Sequence, residues 1–231
     1  CTPAGKKGEV HPAILYTANR IGINKIYKVG GAQAVAAMAY GTETISKVYK
    51  IFGPGNQYVT KAKELIQTEG VAIDMPAGPS ELLIIADHTA DPEFIAADLL
   101  SQAEHGSDSQ VLLLSDNINI IQRTIEETIK QLSVLPRREI AEESLKNSRF
   151  ILFNSLKDCM QFSNTYAPEH LIIAANNYKD LSGNVINAGS VFLGHYSCES
   201  AGDYASGTNH TLPTNGYAKN FSGVSLESFQ K

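Results

Sequence analysis

Apolar, β-rich runs alternate with helical patterns almost throughout this 231-residue chain, and that rhythm constrains the fold more than any single residue does. A strand followed by an amphipathic helix and then a second strand must cross over, so the strands lie parallel and the helices cover the sheet. Strand patterns fall on Lys25–Val29, Val71–Asp74, Glu81–Ala86, Gln110–Leu114, Arg149–Phe153, His170–Ala174 and Ser190–Leu193. Helical periodicity falls on Pro12–Arg20, Ala32–Tyr40, Gln57–Thr68, Pro92–His105, Ile118–Leu135, Arg138–Lys146 and Ser155–Asn164. The expected class is α/β with largely parallel sheets. The segment Pro76-Ala77-Gly78-Pro79 breaks two successive strand patterns and places a domain junction there, with one domain over 1–78 and another over 79–231. In such folds ligands usually sit between domains or at the carboxyl ends of strands.

Hydrophobic side chains make up 43% of the residues, enough for one substantial core or two small ones. A net charge of -5 without any Lys/Arg cluster argues against nucleic acid or an anionic membrane surface as the partner. The apolar runs are too short to span a bilayer, so the expected partner is a small molecule and not a membrane. Cys1, Cys159 and Cys198 are odd in number, widely spaced and free of CxxC pairing, which fits a reducing compartment, by default the cytoplasm. The chain opens on Cys1-Thr2-Pro3 instead of Met, as expected of a piece of a longer protein.

Three stretches concentrate reactive side chains. Glu199-Ser200-Ala201-Gly202-Asp203-Tyr204-Ala205-Ser206-Gly207-Thr208-Asn209-His210 is nearly free of aliphatic residues and reads as a polar loop after a strand. Asp91 suits an N-cap, Pro92 a first turn and Gly106 a helix stop, which places Gln102 and His105 together in the last turn on one face. An amide oxygen and an imidazole there, joined by the Asp203 carboxylate, would make an N/O set suited to Zn²⁺ or Mn²⁺. The plainer readings are a solvated helix end and an Asx turn. Glu169 and His170 stand after Pro168 at the start of a strand, where regular alternation would send them to opposite faces and an irregular approach could aim both at one ligand. Such a pair suits general acid/base work; two surface polar residues are the plainer alternative. Gly30-Gly31 and Gly53-Pro54-Gly55 each precede a helix, where backbone N–H groups can hold pyrophosphate. Neither completes GxGxxG, and close helix–strand packing accounts for the glycines nearly as well.

Taken together, Val29-Gly30-Gly31-Ala32-Gln33-Ala34, Phe52-Gly53-Pro54-Gly55-Asn56, Ala77-Gly78-Pro79-Ser80-Glu81, Ser101-Gln102-Ala103-Glu104-His105-Gly106, Ala167-Pro168-Glu169-His170-Leu171 and Glu199-Ser200-Ala201-Gly202-Asp203-Tyr204 closely resemble histidinol dehydrogenase, in the same order. The resemblance implies two incomplete Rossmann-like domains in an intertwined homodimer, the first domain binding NAD and the second binding metal and substrate. It also implies oxidation of L-histidinol to L-histidine through L-histidinaldehyde, in two NAD-dependent steps, with bound zinc holding the substrate. By motif match, Gln102, His105 and Asp203 resemble zinc ligands that also meet the substrate, and Ser80 and His210 resemble further substrate contacts. Glu169 and His170 resemble the acid/base pair, and Gln33 and Asn56 resemble NAD contacts. The family has further chain before the position of Cys1, including an NAD-contacting tyrosine. It also has a tail after Lys231 that supplies a substrate-contacting glutamate and a zinc-ligating histidine from the partner subunit, so the 231 residues alone are expected to be inactive. The rival readings are a zinc hydrolase and a ligand-binding fragment without catalysis.

Overall fold

The computed structural model describes residues 1–76 and 78–230. Ala77, inside the segment read as the junction, and Lys231, the last residue of the second expected domain, lie outside them. The chain divides into two α/β units, Cys1–Pro76 and Ala77–Lys231.

The first unit holds α1 (Pro12–Arg20), α2 (Gly31–Tyr40), β1 (Lys50–Ile51), α3 (Gln57–Gln67) and β2 (Ala72–Ile73). Its two strands are short and parallel, with Lys50 opposite Ala72 and Ile51 opposite Ile73. Val35 and Ala39 of α2, Ile66 of α3, Ile51, Val71 and Ile73 pack into one small core. The run Lys25–Val29 is not a strand: Tyr27 accepts a bond from the Thr2 N–H at 2.9 Å, and no ladder forms. Its β-rich composition matches a strand, but a strand needs a partner edge, and the unit's pair is made by β1 and β2, of two residues each, too few to register as a pattern.

The second unit holds β3 (Glu81–Ala86), α4 (Pro92–Ala103), β4 (Gln110–Ser115), α5 (Ile118–Leu132), α6 (Arg138–Lys146), β5 (Arg149–Leu152), α7 (Leu156–Tyr166), β6 (His170–Ala174), α8 (Tyr178–Ser182), β7 (Ser190–Leu193) and α9 (Ala201–Tyr204). The five strands are parallel in the order β5-β4-β3-β6-β7. The chain therefore winds outward from β3 in one direction, then returns to β3's other side, as in doubly wound sheets.

Why β3 is central follows from its side chains. All six residues are buried, as a strand covered on both faces requires. Leu82, Ile84 and Ala86 point into a core with Ile95, Leu99 and Ala103 of α4 and Ile120 of α5. Leu83 and Ile85 point the other way, against Cys159 and Met160 of α7 and Leu181 of α8. Each such aliphatic side chain contributes about 1.5–3 kcal/mol by leaving water, so a one-residue slip of β3 would exchange the contents of both layers.

The helix ends explain where the functional side chains fall. The Asp91 carboxylate caps α4 by accepting from the Glu93 N–H, and Pro92 takes the first turn. The helix stops at Ala103, so Gln102 is in its last turn while His105 stands in the turn beyond, its N–H bonded to the Gln102 carbonyl at 3.2 Å. The stretch around Asp203 is not wholly a loop, because Ala201–Tyr204 closes one helical turn.

Candidate active site

In a parallel layer the connecting helix runs against the strands, so the carboxyl ends of α4 and α7 come to the edge where the strands begin. Reactive groups gather at that amino edge and not at the carboxyl ends that sheets of this kind usually use. Glu81 opens β3, His170 opens β6 and Ser190 opens β7. His170 lies level with Leu82 on one side and Ser190 on the other.

The approach to β6 is irregular. Helix α7 ends on Ala167, a buried non-glycine residue in the left-handed region (φ 59°), whose N–H returns to the Ser163 carbonyl at 2.7 Å. That conformation costs on the order of 1 kcal/mol and turns the chain sharply into Pro168. Consequently Glu169 and His170 do not point apart: Glu169 Oε1 lies 3.7 Å from His170 Nε2. Glu199 Oε1 lies 3.8 Å from the same nitrogen. Both separations exceed hydrogen-bond range. On the ring's other side, Nδ1 and Ser190 Oγ are 2.9 Å apart.

The carboxyl groups are held from several directions. Glu169 Oε2 accepts from the Glu81 N–H at 2.9 Å. Glu81 Oε1 accepts from the Asn215 N–H at 2.9 Å, while its Oε2 is buried without a hydrogen-bond partner among the described residues. Glu199 Oε2 accepts from the Ser101 hydroxyl at 3.2 Å, and the Glu199 N–H donates to Asp98 Oδ1 at 3.0 Å.

Burial dominates the electrostatics. It pushes Glu169 up to about 8, with Glu81, Glu199 and Asp203 adding to the rise against the opposing Glu81 N–H bond. Burial raises Glu81 and Glu199 to about 7 each and Asp98 to about 6. Burial lowers His170 to about 4, opposed by Asp203 and reinforced by His105. A neutral imidazole therefore stands among carboxyl groups that exchange protons near neutrality, the condition for general acid/base chemistry.

Gln102 is buried at 4% exposure, whereas His105, Asp203 and His210 are exposed and Ser80 is partly so. The charges of His105 and Asp203 both act on His170, in opposite senses. No group of three or more His, Cys, Asp and Glu is gathered for a metal among the described residues. Ser80 gives its carbonyl to the Gln110 N–H at 3.1 Å. In the first unit, Gln33 is exposed on α2 and Asn56 caps α3, its side-chain oxygen accepting from the N–H groups of Tyr58 and Val59. The Gly53 turn before it is fastened at both ends: its N–H donates to Asp74 Oδ2 at 2.8 Å and its carbonyl accepts from Lys63 Nζ at 2.9 Å.

The family model for Histidinol dehydrogenase matches residues 1–231, the whole chain. The chain belongs to the histidinol dehydrogenase family. Histidinol dehydrogenase from Bacteroides fragilis is 62% identical over 229 residues, which cover 99% of this chain and 54% of that one. The enzyme of that name from Colwellia psychrerythraea is 57% identical over 231 residues, 53% of its length. A crystal structure of histidinol dehydrogenase from Elizabethkingia anophelis is 65% identical and superposes with a TM-score of 0.95, covering 99% of this chain and 53% of that chain. A gamma-glutamyl phosphate reductase from Thermotoga maritima, 13% identical at a TM-score of 0.51, shares the fold alone. The chain thus spans about half the length of the histidinol dehydrogenases it matches.

Sequence reasoning singled out Glu169, His170, Gln102, His105 and Asp203 but passed over Glu81, Ser190 and the site role of Glu199. Their signal is weak in one dimension. Ser190 reads as an ordinary first residue of a strand, and only the lateral pairing of β6 with β7 sets its hydroxyl against an imidazole.

Proposed function

We propose that these 231 residues carry the acid/base and metal-binding half of a zinc-dependent, NAD-linked histidinol dehydrogenase. The reading is the four-electron oxidation of L-histidinol to L-histidine by way of L-histidinaldehyde, the last step of histidine biosynthesis. The observation that carries it is the buried Glu169–His170 pair at 3.7 Å, with Glu199 at 3.8 Å from the same imidazole nitrogen.

His170 Nε2 would take the alcohol proton, and Glu169 would then take a proton from the water that adds to the aldehyde; NAD, held by Gln33 and Asn56, would supply the hydride acceptor for each of the two oxidations, one NAD per step. Burial raises Glu169 to about 8, which makes its carboxylate, once formed, a stronger base than that of an exposed glutamate. Ser80 and His210 hold the substrate, and Gln33 and Asn56 contact NAD, within a cofactor-binding domain over 1–78 and a substrate-binding domain over 79–231.

Gln102, His105 and Asp203 would hold zinc, an amide oxygen, an imidazole and a carboxylate being a donor set that suits it. Burial raises the cluster's carboxyl groups, with Asp203 adding to the rise of Glu169 and Glu199, and among the described residues Glu81 Oε2 has no hydrogen-bond partner, which supports a cation beside it. When bound, zinc supplies a Lewis-acidic anchor for the substrate's nitrogen donors. The full-length protein is proposed to be a cytoplasmic homodimer; no helix among the described residues is long and apolar enough to cross a membrane. The 231 residues alone are proposed to be nearly inactive, because they span about half of their relatives' length.

The test follows NADH formation from L-histidinol and NAD, with zinc content after dialysis, for the full-length protein and this segment side by side. Turnover and zinc retention in the full-length protein alone are expected. Comparable turnover in the segment would reject its incompleteness, and no turnover in either would reject the dehydrogenase reading. Hydrolysis of amides or esters without NADH would favour a zinc hydrolase.

A further inference from the structure

We propose that Ser190 is the positioning residue of the Glu169–His170 pair, holding His170 as the Nδ1–H tautomer with Nε2 as the proton-accepting atom. The proposal rests on the acid/base reading above and deepens it by naming what sets the base.

The two ring nitrogens of His170 have different surroundings. With His170 only 7% exposed, a ring N–H is held best where a protein acceptor lies within hydrogen-bond range. On the Nε2 side the nearest charged oxygens, Glu169 Oε1 and Glu199 Oε1, stand at 3.7 and 3.8 Å, beyond hydrogen-bond range. On the Nδ1 side Ser190 Oγ stands at 2.9 Å. Among the described residues, a proton on Nδ1 therefore has an acceptor within hydrogen-bond range, and a proton on Nε2 has none that close. Placing the proton on Nδ1 leaves the Nε2 lone pair directed at the space bounded by the two carboxyl groups.

Ser190 also fixes the second member of the pair. Its own N–H donates to the Glu169 carbonyl at 2.8 Å, and the N–H of Gly189 donates to the Pro168 carbonyl at 2.9 Å. The start of β7 thus pins the backbone that bends Glu169 toward His170, while the Ser190 hydroxyl sets which nitrogen can act. A hydroxyl suits both states of the cycle, since Nδ1 keeps its proton in the imidazole and in the imidazolium and Oγ accepts in each. Orientation of this kind by a group that touches no substrate is how partners outside the reacting shell control a histidine.

The test compares wild type, Ser190→Ala and Ser190→Thr in the full-length protein, each checked for native circular dichroism. ¹⁵N imidazole shifts of His170 report the tautomer without turnover. The wild type and Ser190→Thr are expected to be protonated on Nδ1, and Ser190→Ala to move toward Nε2–H. Turnover is expected to fall about 10- to 100-fold in Ser190→Ala with histidinol KM unchanged, and to return in Ser190→Thr. A wild-type His170 protonated on Nε2, or a Ser190→Ala variant with the wild-type tautomer and turnover, would overturn the proposal. Absence of dehydrogenase activity from all three proteins would reject the functional reading, and the tautomer shifts would still decide the role of Ser190.

Discussion

Lys63 and Asp74 form an ion pair whose side chains are 2% and 0% exposed. Lys63 also donates to the Gly53 carbonyl, and Asp74 accepts from the Gly53 N–H, so the pair braces the Gly53-Pro54-Gly55 turn. Removing one partner of a buried pair strands the other charge, at about 3–5 kcal/mol. Lys63→Met is therefore expected to unfold the first unit well before the second, measured by hydrogen exchange of α3 against β3. Coincident loss of protection in both, at the wild-type denaturant concentration, would show that the pair is not needed.

A methyl group on Gly189 would meet the Glu169 carbonyl oxygen at 2.6 Å, closer than side-chain carbons approach. The oxygen is fixed by the Ser190 N–H and cannot retreat cheaply. Gly189→Ala is expected to lower stability by about 1–3 kcal/mol through overpacking, read from urea unfolding, and to lower turnover with it. Unchanged stability would mean that the β6–β7 spacing yields.

Stability should fall as pH rises through neutrality in the metal-free protein. Glu169, Glu81, Glu199 and Asp98 hold protons in the fold up to about 8, 7, 7 and 6, against 4.5 for a free glutamate and 3.8 for a free aspartate. Groups raised in this way contribute stability that is present below the unfolded pKa and is lost as pH climbs through the folded one. His170, lowered from 6.5 to about 4, acts in the opposite sense, its contribution being lost as pH falls through that interval. The urea midpoint of the second unit is expected to drop from about pH 5 to about pH 8, and less so in Glu169→Gln. A midpoint that rises across that window would contradict the burial of these carboxyl groups.

The two members of the dyad should separate kinetically. In the full-length protein His170→Asn is expected to lower turnover by 100-fold or more, on the order of general-base loss, while zinc content and histidinol binding change little. Glu169→Gln is expected to slow oxidation of histidinaldehyde more than oxidation of histidinol, measured with each substrate in single turnover. Equal slowing of both half-reactions would remove the special role of Glu169 in hydrating the aldehyde.

How far the chain could be read depended on the range of the forces involved. Strands β3, β6 and β7 each open on one polar residue and end where their apolar runs do, and in β3 and β6 every residue is buried, which leaves no freedom in a run such as Leu82–Ala86. Asp91 and Pro92 announced the start of α4 by local capping chemistry. Lys25–Val29 has the composition of a strand, which says nothing of a partner edge. Gly106 predicts a helix running to His105, although the helix ends at Ala103. The site contacts of Glu81 and Ser190 come from neighbouring strands and those of Glu199 from α4, and a single polar residue carries no mark of what lies beside it.

Helices α4 and α7 both finish at the edge where Glu169 and His170 stand. Their aligned peptide dipoles leave about half a negative charge at each terminus. That edge of the sheet therefore has a negative field before any carboxylate is counted. A cation or an ammonium-bearing ligand is drawn to it, and a phosphate is turned away toward the opposite edge, where helices begin and amide hydrogens point outward. The polarity of the folded layer sorts ligands by sign across its two edges, ahead of any contact with a side chain.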